Sequence, residues 1–209
     1  VACGSASQNT AGEDKYVVIL SMDAFRHDFS ALYDTPTLDS VANVGVFSKV
    51  MPCFPSNTFP NHYAMATGLH PDHHGIVNKS FYDKELGLQY SIKRNEAREN
   101  ADFYKGEPIW NTVERQGLTA HVYTWVGVEA PINDHFPTKY LIYNPERSRK
   151  ALADNVLEAL CNPNVEEIPN LTMWYFDEPD AVAHNYSPTS EETRAVVEDI
   201  DAVLAYFMR

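Results

Sequence analysis

The stretch Tyr16-Val17-Val18-Ile19-Leu20-Ser21-Met22 ends on a carboxylate, Asp23. A short apolar run rich in β-branched residues reads as a buried strand. A charged group directly after it lies at the strand's carboxyl end, where the chain leaves the core. The same pattern returns at Leu171-Thr172-Met173-Trp174-Tyr175-Phe176, which precedes Asp180 and His184, and a third run, Thr119–Trp125, also reads as a strand. Helical spacing separates these runs: Thr37–Val44 behind Pro36, Phe59–Leu69 with Gly68 near its end, Glu107–Gln116 before Gly117, and Arg147–Leu160. A further helix is expected over Glu191–Met208, with Val196, Val197, Ile200, Val203, Leu204 and Phe207 on one face and Ser190 as its cap. Val46–Met51 is expected to form a second strand, leading to a loop that carries Thr58. Asn78–Tyr104 is polar and irregular, a loop or small excursion over the site.

Alternating β and α units imply an α/β fold, a mostly parallel sheet with helices on both faces. Ligands of such sheets gather at the carboxyl ends of the strands, so Asp23, Thr58, Asp180 and His184 are expected on one rim. The helix after Thr58 has Pro60 in its first turn, and Thr58 reads as its N-cap. Helix N-termini present free N–H groups and a positive field, both suited to phosphate. Asp180 and His184 are spaced i, i+4, so on a helix they face the same way, and both are good zinc ligands. Singly, each of these residues is more often a cap or a solvated loop residue. His62, His73 and His74 read as structural histidines.

The chain carries 16 Lys and Arg against 29 Asp and Glu, a net charge of -13 that argues against duplex nucleic acid as a partner. A small anionic substrate stays compatible, because bound metal ions invert the field inside one pocket. With 44% apolar residues the chain can build a core. Its three cysteines are odd in number and widely spaced, which suggests neither a zinc finger nor a disulfide framework. Residues 1–14 read as a flexible N-terminal segment. Its Val1-Ala2-Cys3-Gly4 start resembles the tail of a bacterial lipoprotein signal, with Cys3 as the lipidated residue. A periplasmic or outer-surface location, membrane-anchored through that lipid, is the corresponding expectation. The last helix runs into Arg209 without a stop signal, so residues 15–209 are expected to be the N-terminal part of a longer catalytic domain.

Three segments together resemble the nucleotide pyrophosphatase/phosphodiesterase family of the alkaline phosphatase superfamily. They are Ser21-Met22-Asp23-Ala24-Phe25-Arg26, Phe54-Pro55-Ser56-Asn57-Thr58-Phe59-Pro60-Asn61-His62-Tyr63 and Thr67-Gly68-Leu69-His70-Pro71-Asp72-His73-His74-Gly75-Ile76-Val77. Gly106-Glu107-Pro108-Ile109-Trp110, Glu178-Pro179-Asp180 and His184 follow in order. The resemblance implies an alkaline phosphatase-like fold and zinc-dependent hydrolysis of phosphodiester or pyrophosphate bonds in small nucleotide-type substrates. It makes Thr58 the nucleophile, forming a phosphothreonine intermediate. It implies two Zn²⁺ ions, one on Asp23 and Thr58 and one on Asp180 and His184, with further ligands beyond residue 209. Phe59 would stack on a nucleotide base, with Tyr140 a second aromatic candidate.

Lys79 stands where the family has a phosphate-contacting asparagine, with Asn78 just before it. Either the lysine reaches the phosphoryl oxygens, or the loop shifts by one residue and Asn78 fills the pocket. Two rival functions stay open. Cys53-Phe54-Pro55-Ser56 resembles the start of a sulfatase motif, though Asn57 stands where that motif needs arginine. A phosphomonoesterase of the same superfamily, or an inactive phosphate-binding domain, is the other.

Overall fold

The computed structural model describes residues 15–209. The expected flexible segment 1–14, and Cys3 with it, lie outside the described residues. Six strands are described: β1 Val17–Met22, β2 Ser80–Asp83, β3 Leu88–Ser91, β4 Ala120–Tyr123, β5 Lys139–Leu141 and β6 Leu171–Phe176. The α-helices are α1 Phe29–Leu32, α2 Pro36–Val44, α3 Thr58–Thr67, α4 Pro71–His74, α5 Asn95–Arg98, α6 Ile109–Arg115, α7 Arg149–Leu160, α8 Asp180–Tyr186 and α9 Glu191–Phe207.

The main sheet runs β1-β6-β4-β5, and all of its pairings are parallel. β6 lies between β1 and β4, and every one of its residues is buried. That explains its nearly continuous apolar run, broken only by buried Thr172, since an inner strand is covered on both faces. Leu171, Met173 and Tyr175 join one core with Tyr63, Trp110 and Trp125, and Trp174 and Phe176 join the other with α7 and α9. Helices therefore cover both faces, as expected.

Local chemistry accounts for the helix ends. The Ser148 and Ser190 side chains accept from Ala151 N–H and Thr193 N–H and so cap α7 and α9. α3 stops at Gly68, which takes a left-handed φ of 70°. α2 is capped from a distance: buried Asp201 of α9 accepts from Thr37 N–H at 3.1 Å and Leu38 N–H at 2.8 Å. A carboxylate facing a helix N-terminus is stabilised there, which explains a buried charge without a cationic partner.

Two expectations need correction. Val46–Met51 forms no strand; Val46 is 95% and Met51 90% exposed. β-propensity counts only where a neighbouring strand and a packed face exist, and among the described residues this segment has neither. β1, expected to be buried, is half exposed for the same reason, with β6 on one edge and no described partner on the other. The excursion after Asn78 contains an antiparallel hairpin, β2–β3, with Phe81 stacked on Tyr90 at 4.9 Å.

His121 of β4 carries a pH dependence. Burial, and then the Lys139 charge paired opposite on β5, push its pKa down to about 4. A histidine in an unfolded chain titrates near about 6.5. Above that pH it is neutral in both states. As pH falls towards 4 the unfolded chain binds the proton first, so stability drops through that window and levels off below it, by roughly 3 kcal/mol at most. Tm measured from pH 7 to 4 should therefore fall less steeply in His121→Gln than in the parent protein. Identical slopes would rule His121 out as a source of the acid limb.

Candidate active site

Thr58 is the first residue of α3, and Asn57 occupies the cap position without a side-chain cap bond. The expected capping role is thus corrected: the Thr58 hydroxyl is free of its own helix and donates to Asp23 Oδ2 at 2.8 Å. Asp23 is held by the sheet, its N–H donating to Phe176 O at 2.9 Å as a continuation of the β1–β6 ladder. Ala24 then takes φ 55°, a left-handed conformation costly for a residue with a Cβ. The chain so turns away from the sheet directly behind the carboxylate. Thr124 does the same after β4 at φ 60°, its Oγ1 donating to Tyr175 O at 2.9 Å.

A second donor to Asp23 Oδ2 is the Tyr175 hydroxyl, at 2.9 Å. Burial, followed by the charge of Asp23, raises the Tyr175 pKa far above the usual phenol range, so it stays a donor. Tyr175 was hidden in the sequence, where it reads as one more apolar residue of β6.

The loop before Thr58 is moulded by one side chain. Asn61 Oδ1 accepts from Cys53 N–H at 2.8 Å and from its thiol at 3.1 Å. Asn61 Nδ2 donates to Pro55 O and Asn57 O, both at 2.9 Å. Burial raises the Cys53 pKa. The hydroxyl aligned on a carboxylate is that of Thr58, while the thiol of the sulfatase-like motif is committed to Asn61.

His62 is structural, as expected. Its Nδ1 lies 2.8 Å from Thr58 O, an acceptor, so Nδ1 carries the proton and Nε2 accepts from Ser21 Oγ at 2.9 Å. Burial lowers its pKa, against the pull of the Asp23 charge, in keeping with a neutral ring. His62 thereby ties α3 to β1. His74 is buried with Nε2 3.0 Å from Pro60 O, and exposed His73 pairs with Asp72.

Asp180 and His184 stand one turn apart on α8, with Nε2 and Oδ1 separated by 3.4 Å. Both line a cleft of about 700 Å³ with Asp23 and Thr58, so the expected quartet shares one rim. Burial, then the charge of Asp23, raises the Asp180 pKa, with His184 and Lys79 acting the other way. Two carboxylates whose like charges meet in one cleft, beside a hydroxyl and an imidazole, form a donor set that a hard or borderline cation would relieve. Among the described residues no three His, Cys, Asp or Glu side chains converge on one point. The donors stand as two bonded pairs, Asp23 with Thr58 and Asp180 with His184, and neither pair alone is a complete metal shell.

A second cleft of about 450 Å³ adjoins the first, sharing Asp23, Thr58, Lys79 and Asp180 with it. Phe59 lines it, as do Tyr143 and Asp177, and the Tyr143 hydroxyl donates to Asp177 Oδ2 at 2.7 Å. Tyr140 lines neither cleft and stacks on Phe136 at 4.9 Å. Tyr143, three residues later, lines the cleft with Phe59, as do Tyr104, Trp125 and Tyr175. Tyr140 pairs with Val122 within the sheet, whereas Tyr143 lies beyond the end of β5, where the chain turns over the rim.

A family model described as type I phosphodiesterase/nucleotide pyrophosphatase matches residues 17–209. The chain is 36% identical over 211 residues to venom phosphodiesterase 2 of Crotalus adamanteus, covering 99% of this chain and 26% of that protein. It is 34% identical over 194 residues to human ectonucleotide pyrophosphatase/phosphodiesterase family member 1, covering 91% of this chain and 21% of the relative. The chain thus spans about a quarter of the length of these curated relatives. The solved structure of murine ectonucleotide pyrophosphatase/phosphodiesterase 5 matches with a TM-score of 0.85 at 31% identity, over 93% of this chain and 52% of that one. An inactive threonine-to-alanine variant of the murine protein, in complex with AMP, matches with the same TM-score at 30% identity.

Proposed function

Since the chain belongs to the type I phosphodiesterase/nucleotide pyrophosphatase family, with an alkaline phosphatase-like fold, we propose that in the whole protein Thr58 attacks the phosphorus of a phosphodiester or pyrophosphate bond in a nucleotide-type substrate. The observation that carries this is the Thr58 hydroxyl, held 2.8 Å from Asp23 at the open end of α3. A threonine hydroxyl is a poor nucleophile until its proton is drawn away. Asp23 accepts that hydroxyl's hydrogen bond and aims its oxygen along the rim, while Tyr175 and the β1–β6 ladder fix Asp23. The Thr58 and Phe59 N–H groups begin the helix and face no acceptor among the described residues, so they can receive non-bridging phosphoryl oxygens.

Attack forms the bond from Thr58 Oγ1 to phosphorus and breaks the bond to the leaving oxygen, which takes up a proton. Water then attacks phosphorus, breaks the bond to Oγ1 and returns the hydroxyl. Two zinc ions, on Asp23 with Thr58 and on Asp180 with His184, would supply the positive charge that lowers the hydroxyl pKa and stabilises the leaving oxygen. Zinc takes three or four protein ligands, so each pair would be part of a larger shell. Phe59 and Tyr143 would hold a nucleotide base between them in the second cleft, a use supported by the AMP bound to the murine relative. An extracytoplasmic location, anchored through Cys3, is proposed on the Val1–Gly4 sequence and on relatives named as venom and ecto-enzymes.

The test is turnover of p-nitrophenyl thymidine 5′-phosphate by the full-length protein. Chelation is expected to lower the rate by more than about 100-fold, and added zinc to restore it. Turnover that survives exhaustive chelation would contradict the metal assignment, and no turnover in any metal would contradict the function.

A further inference from the structure

Lys79 stands at the head of the β2–β3 hairpin and lines both clefts with Thr58, Asp23 and Asp180. Its backbone is fixed, since its N–H donates to Asn78 Oδ1 at 2.8 Å and its carbonyl accepts from Ile92 N–H at 3.0 Å. Asn78 is committed elsewhere: its Oδ1 also accepts from Asn57 Nδ2 at 3.1 Å, bracing the loop beside the nucleophile. Of these two neighbours, Asn78 holds the loop and Lys79 is sent over the cleft.

The other strong cation on the cleft walls is Arg98, which is fully engaged by Glu129 at 2.7 Å, Ile92 O at 2.6 Å and Asn95 at 2.9 Å. Lys79 makes no ion pair with any described carboxylate. Its ammonium is an uncommitted positive charge with three donors, beside the place where a phosphoryl group would sit.

We propose that Lys79 sets specificity by contacting a non-bridging oxygen of the phosphoryl group at Thr58, so that phosphate monoesters and terminal phosphoryl groups are favoured relative to diesters. This rests on Thr58 being the nucleophile. A phosphate monoester carries about -1.5 to -2 charges near neutral pH. A diester carries roughly one fewer and offers one fewer free oxygen. A neutral amide at this position would treat the two more alike, because a charged hydrogen bond is about twice as strong as a neutral one.

The test compares the full-length protein with Lys79→Asn and Lys79→Arg. The readouts are kcat/KM for p-nitrophenyl phosphate and for bis-p-nitrophenyl phosphate, and the inhibition constant of inorganic phosphate. Lys79→Asn should lower the monoester-to-diester ratio by about tenfold and weaken phosphate inhibition by a similar factor. Lys79→Arg, which keeps the charge, should hold both nearer the parent values. An unmoved ratio with diester turnover retained overturns the role of Lys79 alone, as does an equal loss on both esters. A parent protein that hydrolyses neither ester overturns the hydrolase assignment, and the Lys79 role falls with it.

Discussion

Thr58→Ala in the full-length protein is expected to lower kcat/KM for a phosphodiester by at least about 10³-fold while leaving the protein folded. Alanine has no oxygen to attack phosphorus. The structural cost is small, because Thr58 is not the cap of α3 and its hydroxyl faces the rim rather than the core. What is lost is one hydrogen bond, about 0.5–1.5 kcal/mol, and Asp23 keeps its bond from Tyr175. Thr58→Ser retains the hydroxyl and should keep measurable turnover. If Thr58→Ala, purified free of parent enzyme, retained more than about a hundredth of the rate, Thr58 would not be the nucleophile.

Asp23→Asn is expected to be nearly as damaging by a different route. Asparagine has the same shape, and its amide oxygen can still accept from Tyr175, so Tm should move little. The negative charge is what disappears. If Asp23 is the proposed zinc ligand that also bonds Thr58, its loss should cost more than about 100-fold in turnover, since even the outer partners of metal ligands are worth 10–100-fold. Zinc content, read by elemental analysis, should fall together with the rate. Full zinc content with a rate within tenfold of the parent would refute the assignment of Asp23 as a ligand.

How far these residues were legible in the sequence follows from what each signal encodes. β6 was readable to the residue because an inner parallel strand is apolar on both faces, so its whole length contrasts with its flanks. That Asp23, Asp180 and His184 share a rim with Thr58 was readable because polar groups directly after a strand, or on the helix that follows it, stand out. Val46–Met51 misled because β-branched residues state a preference, whereas a strand needs a partner. Tyr175 could not be found, since its aromatic body satisfies the core pattern while its hydroxyl serves the site. Tyr140 and Tyr143 differ by three positions in one chain segment, and only the end of β5 separates a residue in the sheet from one over the rim. Asn78 and Lys79 could not be ranked until Asn57 was seen to occupy the Asn78 side chain.

Asn61 has a consequence for how this active site can drift. One amide side chain holds the backbone of Cys53, Pro55 and Asn57 in place. The loop's shape is thus stored largely inside α3, with the Asn57 side chain adding a tie to Asn78. A saturation scan should then show an uneven landscape: broad tolerance at Ser56, near-intolerance at Asn61. The same economy makes 53–62 a candidate cassette for protein engineering, since a graft that carries Asn61 carries its own mould and asks of its host chiefly a strand end that presents a carboxylate to Thr58.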